Sequence, residues 1–309
     1  MKSKNNDSKS AVVFGGSGFL GSYVVAELVE RGWRVRIADL NVPPEELEFE
    51  DYVLCDLTNK ESLVDAIPVE TDVVFNFAGM SDLDEALNQP LLTMELNILG
   101  NLRILESCRK QKVRHFVYAS SAYACSESGS FYGISKLSAE KIVEEYQNLY
   151  GLDYTIIRYG SLYGERADHH NGVYRLLRQA LEKGEIVHGG DGEEVREYIH
   201  AKDAAKLSVD ILKSKEFKNQ HMMITGLERL KQKDLLKMIQ EMSPNQVSIK
   251  MSKKHYTGHY EVTPYSFRPN VALKLVANPY IDLGQGLVEC MRRVHHELSV
   301  ENGDLKINE

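Results

Sequence analysis

Tyr132 and Lys136, in the run Tyr132-Gly133-Ile134-Ser135-Lys136, carry a phenol and an ammonium four residues apart. On a helix that spacing puts both on one face. A phenol titrates near pH 10 and is a poor base at neutral pH; bringing it to about 7 takes about 4 kcal/mol of preferential stabilisation of the phenolate. A fixed ammonium nearby acts in that direction, so the pair is a candidate general base with its own electrostatic support. Tyr and Lys at this spacing also occur on ordinary exposed helices, and alone the pair reads more readily as surface decoration.

A second motif gives the pair something to act with. Ala11-Val12-Val13-Phe14 is a short apolar run of strand type, followed by Gly15-Gly16-Ser17-Gly18-Phe19-Leu20-Gly21 and a helical pattern carrying Leu20, Val24 and Leu28. Gly15, Gly18 and Gly21 suit, in that order, a tight turn, a close approach of backbone to a pyrophosphate and a close packing of helix on strand. The helix that opens at Phe19 and Leu20 then offers free N–H groups and a positive dipole end to the phosphates. Asp39 ends the next strand, 24 residues beyond Gly15. A carboxylate there accepts hydrogen bonds from the adenosine ribose hydroxyls and repels a 2′-phosphate, which favours NAD over NADP as cofactor. The oxidised nicotinamide ring would add a second positive charge near Tyr132.

These residues need a frame. Strand-type runs at 34–38, 52–54, 73–77, 115–119 and 154–157 alternate with helical patterns after Asn59-Lys60-Glu61-Ser62, around 94–109 and at 135–150. Repeated β-α with continuous apolar strands predicts an α/β fold, a Rossmann-type doubly wound parallel sheet covered on both faces. After Arg158 the pattern loosens into a helix with Val173, Leu176, Leu177, Ala180 and Leu181 on one face, a turn at His188-Gly189-Gly190-Asp191-Gly192, and short mixed elements. The expected organisation is a disordered tail over 1–10, an NAD-binding Rossmann domain over 11–160, a smaller mixed α/β C-terminal lobe over 161–300 and a tail over 301–309. The lobe would serve mainly the substrate and interleave with the first domain.

Composition narrows the function classes. At about 150 residues per domain, 309 residues suggest two domains, long enough to bury a core without disulfides or metal. Lys+Arg number 37 against 45 Asp+Glu, a net charge of −8 that argues against a nucleic-acid partner. Cys55, Cys108, Cys125 and Cys290 lie far apart with no C-x-x-C pair, which fits a reducing compartment and neither a zinc site nor a secreted scaffold. No stretch approaches the ~20 apolar residues that span a bilayer, and the polar start lacks a signal-peptide core. A cytoplasmic protein with no membrane partner is expected. The pair His169-His170 has no third ligand at metal spacing, so no metal is expected either. Apolar residues exceed one stripe on the 94–109 helix (Leu96, Ile98, Leu99, Leu102, Ile104, Leu105), and the 132–150 helix adds Ile142, Val143, Tyr146 and Leu149. Helices apolar on more than one face are buried or paired.

In order and type these motifs resemble the extended short-chain dehydrogenase/reductases, specifically the nucleotide-sugar branch that includes the UDP-galactose 4-epimerases. The resemblance runs from Ala11 to about Cys290. Asp56-Leu57 is similar to the family's adenine-contacting pair, Phe77-Ala78-Gly79 to its cofactor loop after the fourth strand, and Asn97 to the helix asparagine that supports the active-site geometry. Tyr118-Ala119-Ser120-Ser121-Ala122 resembles the Ser-Ser segment that donates the catalytic hydroxyl, and register selects Ser121 over Ser120. Arg158-Tyr159-Gly160-Ser161 and Arg196-Glu197-Tyr198-Ile199-His200 resemble the family's Arg-Tyr-Phe-Asn and Arg-Asp-Tyr-Ile-His segments, which implies Tyr159 at the cofactor and Ser161 at the substrate.

The resemblance implies that Tyr132 takes a proton from a sugar hydroxyl while the same carbon gives hydride to the nicotinamide. Ser121 would hydrogen-bond the developing ketone, and Lys136 would bind the nicotinamide ribose. The guanidinium fork of Arg196 suits a substrate diphosphate. Asn171, just before a helix, is either a second contact to that diphosphate or simply an N-cap. The two apolar helices would form a homodimer bundle.

Four departures bear on the reaction. The dehydratases and decarboxylases of this branch carry a Glu shortly after the catalytic hydroxyl, whereas Ala122 and Tyr123 follow Ser121 here. Ser121 and Tyr132 are only 11 residues apart, where epimerase-like members usually carry a loop about twice as long. Ser161 stands where an Asn is usual, and Ser81, a substrate-side position, replaces a Lys of some 4-epimerases. The leading expectation is NAD-dependent oxidation at C4 of a nucleotide-linked sugar, most simply by a 4-epimerase. The alternatives are a net 4-dehydrogenase or 4-ketoreductase acting on a GDP- or UDP-linked hexose or heptose and, more distantly, a non-catalytic dinucleotide-sensing protein.

Overall fold

Val12, Val13 and Phe14, and again Val73, Val74 and Phe75, are buried to the last residue, as strands inside a parallel sheet covered on both faces must be. The computed structural model describes residues 8–63, 65–252, 259–262 and 273–303. Residues 1–7 and 304–309 of the expected tails lie outside the described residues. Both tails are shorter than expected where the chain is described. Ser10 opens the first strand and its N–H donates to Asp72 Oδ2 (2.8 Å), while Glu301 closes the last helix.

The first half alternates as expected: β1 (Ser10–Phe14), α1 (Phe19–Glu30), β2 (Arg34–Asp39), β3 (Asp51–Leu54), β4 (Val73–Asn76), α2 (Leu83–Asn88), α3 (Pro90–Met94), α4 (Asn101–Lys110), β5 (His115–Ser121), α5 (Ser130–Tyr150) and β6 (Asp153–Tyr159). The remainder runs β7 (Ser161–Tyr163), α6 (Gly172–Lys183), β8 (Glu185–Gly189), β9 (Val195–Arg196), β10 (Tyr198–His200), α7 (Ala201–Asp210), β11 (Gln220–Ile224), β12 (Leu230–Lys231), α8 (Gln232–Met242), β13 (Ser248–Ser252), β14 (Leu273–Leu275) and α9 (Leu283–Glu301).

Eight strands form one sheet in the order β14-β11-β6-β5-β4-β1-β2-β3, every pair parallel. Val13 of β1 faces Ile37 of β2 on one side and Phe75 of β4 on the other. The strand order reverses between β1 and β4, and in open α/β sheets that reversal makes the ligand crevice at the carboxyl ends of the strands. Phe14, Val74, Phe116 and Tyr118 from the sheet pack in one core with Ile104 and Leu105 of α4 and Ala139 and Val143 of α5.

Three local readings of the sequence are corrected. The helix expected after Asn59 is a single 3-10 turn, Glu61–Leu63. Ser62 Oγ turns back to the carbonyls of Asp56 (2.6 Å) and Asn59 (2.8 Å), and Pro68 biases the residue before it out of the helical region. The helix expected around 94–109 is interrupted by a π-helical stretch, Glu95–Gly100, between α3 and α4. Finally, α5 starts at Ser130, five residues before the expected start, because Gly129 (φ 106°) and Ser130 (φ 44°) turn the chain sharply in the left-handed region. Tyr132 and Lys136 are therefore both within the helix.

The chain divides into two compact units, one of Met1–Tyr159, Ala204–Ile224 and Pro264–Leu275, the other of Gly160–Asp203, Thr225–Thr263 and Val276–Glu309. The first holds the large sheet. The second holds three strand pairs, β7 with β10, β8 with β13 and β9 with β12, and α6 packs on α9, where Tyr174 donates to Glu297 (2.9 Å). Val173, Leu176, Leu177 and Ala180 form the buried face of α6. All four cysteines are free thiols, and among the described residues no helix is long and apolar enough to cross a membrane.

Candidate active site

The glycine turn is built sterically. Gly15 adopts φ +74°, and a Cβ there would lie 2.6 Å from the backbone N of Ala78; a Cβ on Gly21 would lie 2.0 Å from Gly15 O. The turn and the first turn of α1 thus touch backbone to backbone, which no side chain allows. Gly18 is the N-cap of α1 and makes no side-chain cap, and among the described residues no side chain bonds the N–H groups of the first helical turn. Asp39 closes β2 nearly buried, its Oδ2 accepting from Ser17 N (2.9 Å) and its Oδ1 from Asn41 N (2.9 Å). The carboxylate therefore braces the turn, and each oxygen retains acceptor capacity.

The neighbouring cofactor-side residues are held just as firmly. Asp56 Oδ1 accepts from both the N–H and the hydroxyl of Thr58 (2.8 Å each). Leu57 is buried and its carbonyl accepts from Arg103 Nη1 (2.6 Å), which also pairs with Glu95 (2.7 Å). Phe77 N donates to Phe14 O (2.8 Å) and Ala78 N to Asn76 Oδ1 (3.1 Å), while Asn76 Nδ2 donates to Asn101 Oδ1 (2.8 Å). Beyond Gly79, Asn97 clamps the loop at Met80, accepting from its N–H (2.8 Å) and donating to its carbonyl (3.0 Å). The same Asn97 amide donates to Ser135 Oγ (2.9 Å), whose hydroxyl donates to Tyr132 O (2.8 Å). Asn97 lies inside the π stretch, a local widening of the helix that recurs at functional sites.

The candidate catalytic residues converge in this unit. Ser120 donates to Glu140 Oε1 (2.5 Å) and is committed there. Ser121 caps the 3-10 turn Ala122–Cys125, and its Oγ accepts from Tyr123 N (3.3 Å), its one hydrogen bond among the described residues. Of the two hydroxyls, Ser121 is the less committed. Tyr132 is nearly buried, packed with Met80, Leu83 and Ala86 and edge-on to Tyr123 (ring centroids 6.0 Å, 74°). Lys136 Nζ donates to Ala119 O (3.0 Å) and lies 5.8 Å from the Tyr132 ring centroid and 5.2 Å from that of Tyr118. Burial lowers Lys136 to about 8, against the opposing pull of Glu140. An ammonium so placed is charged at neutral pH and faces the phenol. Tyr159 is also buried, with its ring 6.3 Å from that of Phe77 and its hydroxyl hydrogen-bonded to Ser208 Oγ (2.6 Å). Ser81 is exposed in the loop before α2.

Three further substrate-side candidates, Ser161, Asn171 and Arg196, belong to the second unit, whereas Ser81 and Ser121 belong to the first. Ser161 begins β7 and is paired with Tyr198 of β10. Asn171 is the N-cap of α6: its Oδ1 accepts from Val173 N (3.0 Å) and Tyr174 N (3.2 Å), and its Nδ2 donates to Leu162 O (2.9 Å). Arg196 lies on β9 with its guanidinium 4.3 Å from the Tyr260 ring centroid and Nη1 donating to Val195 O (3.1 Å). It forms no ion pair among the described residues, and the cation–π contact with Tyr260 helps to hold the fork.

Two three-residue groups of metal-ligand type occur among the described residues. Asp168 supplies the third donor beside His169 and His170 that the sequence spacing did not reveal, all three exposed; His170 N donates to Asp168 Oδ1 (2.9 Å). Glu165, His200 and Glu289 form the other, where Lys202 already brings a positive charge 2.9 Å from Glu165. Sequence reasoning also missed Asn76, Asn101, Ser135 and Glu140. Their only signals were polar residues inside apolar runs and, for Glu140, a position four beyond Lys136.

Residues 11–225 match the profile of the NAD dependent epimerase/dehydratase family. A relative in Methanocaldococcus jannaschii, provisionally named UDP-glucose 4-epimerase, is 29% identical over 242 residues, 70% of this chain and 77% of that protein. A UDP-N-acetyl-alpha-D-glucosaminuronate decarboxylase of Bacillus cytotoxicus is 26% identical over 321 aligned positions, 92% of this chain and 97% of its own. Among solved structures, the UDP-glucose 4-epimerase of Thermus thermophilus in complex with NAD superposes with a TM-score of 0.78 at 24% identity, covering 92% of this chain and 98% of the other.

Proposed function

The chain belongs to the NAD-dependent epimerase/dehydratase family and has NAD as its cofactor, and from that premise we propose that it oxidises C4 of a nucleotide-linked sugar and returns the hydride to the opposite face, as a 4-epimerase. The observation that carries this reading is the joint setting of Tyr132 and Lys136 on α5, with Asn97 fastening that helix to the loop after β4 and Ser121 at the end of β5.

NAD, held by the glycine turn, Asp39 and Lys136, would supply the reversible hydride acceptor for the sugar carbon. The chain's own residues do the rest. The glycine turn and the start of α1 fit a pyrophosphate, because Gly15 and Gly21 leave no bulk over the backbone and no side chain occupies the N–H groups. Asp39 receives the adenosine ribose. Tyr132 takes the proton of the C4 hydroxyl as general base and restores it after the sugar has turned over. Lys136, charged at neutral pH, stabilises the phenolate from within the helix and holds the nicotinamide ribose. Ser121 donates to the ketone oxygen as it forms. Arg196, held against the Tyr260 ring, would supply its guanidinium fork to the substrate diphosphate.

Ala122 and Tyr123 place no carboxylate directly after Ser121, which favours epimerisation over dehydration or decarboxylation. The relatives' names favour UDP-linked sugars. The deciding experiment incubates the NAD-loaded protein with UDP-glucose, UDP-galactose and UDP-glucuronate and follows both epimer and NADH. An epimer with no net NADH is expected; stoichiometric NADH would replace the epimerase with a 4-dehydrogenase, and no product from any of these sugars would remove the reading.

The same helix supports a second element of the proposal. Leu99 of the π stretch and Ile134, Leu137 and Leu149 of α5 are 43%, 56%, 41% and 64% exposed, and exposed apolar side chains on the 94–109 and 132–150 segments suit a homodimer. Free thiols throughout suit a reducing cytoplasm.

A further inference from the structure

Behind the candidate catalytic residues lies a charged cluster that the reaction itself does not use. Glu140, fully buried on α5 one turn beyond Lys136, is gripped by Arg158 of β6 through Nε to Oε1 (2.8 Å) and Nη2 to Oε2 (2.6 Å). Its Oε1 also receives the Ser120 hydroxyl (2.5 Å) from β5. His221 of β11 approaches Oε2 at 3.7 Å, and the other nitrogen of that ring meets Glu144 Oε1 at 2.8 Å. Burial keeps His221 below its usual titration range. A buried ion pair of this kind contributes little net stability, since the loss of solvation offsets most of the attraction. Its place under the site gives it another use.

We propose that Glu140 is a positioning residue for the catalytic pair, sustaining the positive charge of Lys136 by its field and fixing the strand end that carries Ser121. The proposal rests on the reading of Tyr132 and Lys136 given above. Two arguments from geometry carry it. Side chains alternate along a strand, so the bond from Ser120 to Glu140 pins one face of β5 and leaves Ser121 to the other. No carboxylate lies within 4 Å of Lys136 Nζ among the described residues, and the ammonium rests on the Ala119 carbonyl and two phenol rings, Tyr118 and Tyr132. Glu140 stands four residues beyond Lys136 on the buried side of α5, and the other titratable groups facing the cluster are Arg158, His221, Glu144 and the Cys125 thiol. Burial pulls Lys136 down and the Glu140 carboxylate pulls it back.

The sign of the effect is fixed. Removing a buried negative charge disfavours a nearby ammonium and favours a nearby phenolate, so the ionisations of Lys136 and Tyr132 both move to lower pH. The test is a titration of the Lys136 side chain by 13C NMR in the full-length protein, assigned with Lys136→Arg, in the wild type, in Glu140→Gln and in Glu140→Gln/Arg158→Leu. The double substitution leaves no unpaired buried charge and keeps the measurement available where the single one unfolds. We expect the midpoint to fall by about one pH unit in Glu140→Gln and by less in the double substitution, where loss of the Arg158 charge offsets part of the effect, with both limbs of the pH profile of turnover moving to lower pH and with Glu140→Asp restoring most of the wild-type behaviour. An unmoved midpoint in folded Glu140→Gln, or a raised one in the double substitution, overturns the proposal even if the wild type epimerises a sugar. A lowered midpoint in a protein that turns over no nucleotide sugar leaves this inference standing and removes the reading of function instead.

Discussion

In the proposed reaction Tyr132 and Lys136 divide one task between them, the phenol holding the proton and the ammonium setting how easily it leaves. Tyr132→Phe removes the proposed proton carrier and nothing of the glycine turn, so turnover should fall about 10²–10⁴-fold with NAD affinity nearly unchanged. Steady-state kinetics beside NAD titration checks this. Gly21→Ala tests the other end of the site. Its Cβ has no room beside Gly15 O at 2.0 Å, so the variant should lose about 1–3 kcal/mol of stability, read by urea unfolding, together with NAD affinity. At this scale the sequence was informative where chemistry demands a residue type: three glycines, an Asp at a strand end, a Tyr and Lys four apart. Asn76, Asn101 and Ser135 escaped notice because buried amides and hydroxyls work through whichever backbone groups they meet, and that partner is set by the fold.

The π stretch between α3 and α4 is the element on which the site geometry turns. Its residue Asn97 holds both backbone groups of Met80 and the Ser135 hydroxyl. Asn97→Leu would leave the buried Met80 amide and carbonyl unsatisfied, at about 1–3 kcal/mol each. Faster hydrogen exchange over residues 77–80 and a fall in kcat larger than any rise in KM should follow. Apolar periodicity could not reveal this element: Leu96, Ile98 and Leu99 fit a helical pattern whether or not the winding widens by one residue. The early start of α5 was hidden for a similar reason, since left-handed Ser130 is an uncommon way to begin a helix. As α5 also carries exposed Ile134 and Leu149, Ile134→Glu/Leu149→Glu should convert a dimer to a monomer in sedimentation velocity. A wild type that is already monomeric would remove the dimer.

For the molecule as a whole, acid is the informative stress. Burial holds His115 of the first unit and His200 of the second at about 4, against 6.5 for a free imidazole. Their protonation is therefore suppressed in the folded chain and free in the unfolded one. Stability should be full above about pH 6.5 and fall as pH drops toward 4, by up to about 3 kcal/mol for each histidine. Urea unfolding at steps between pH 7 and 5, above the range of most carboxylates, isolates this contribution, and His115→Phe should flatten part of the slope. The parallel sheet was legible through β6 because buried parallel strands write continuous apolar runs, while its outer strands β11 and β14 were not read. The composition of the second unit from three separate segments was not, since strands of two or three residues such as β9, β10 and β12 are too short to leave a period.

The strand order β14-β11-β6 has a consequence for synthesis on the ribosome. β6 is complete at Tyr159, but its outer neighbour β11 begins only at Gln220, about sixty residues later. At ordinary elongation rates the nascent sheet waits roughly 3–12 s with that edge unpaired. Thr155, Ile156 and Ile157, buried in the finished protein, stand there as an open template for another chain. The interval between β6 and β11 is thus the period in which this protein most needs a chaperone, and slow codons between 160 and 219 should lower its soluble yield.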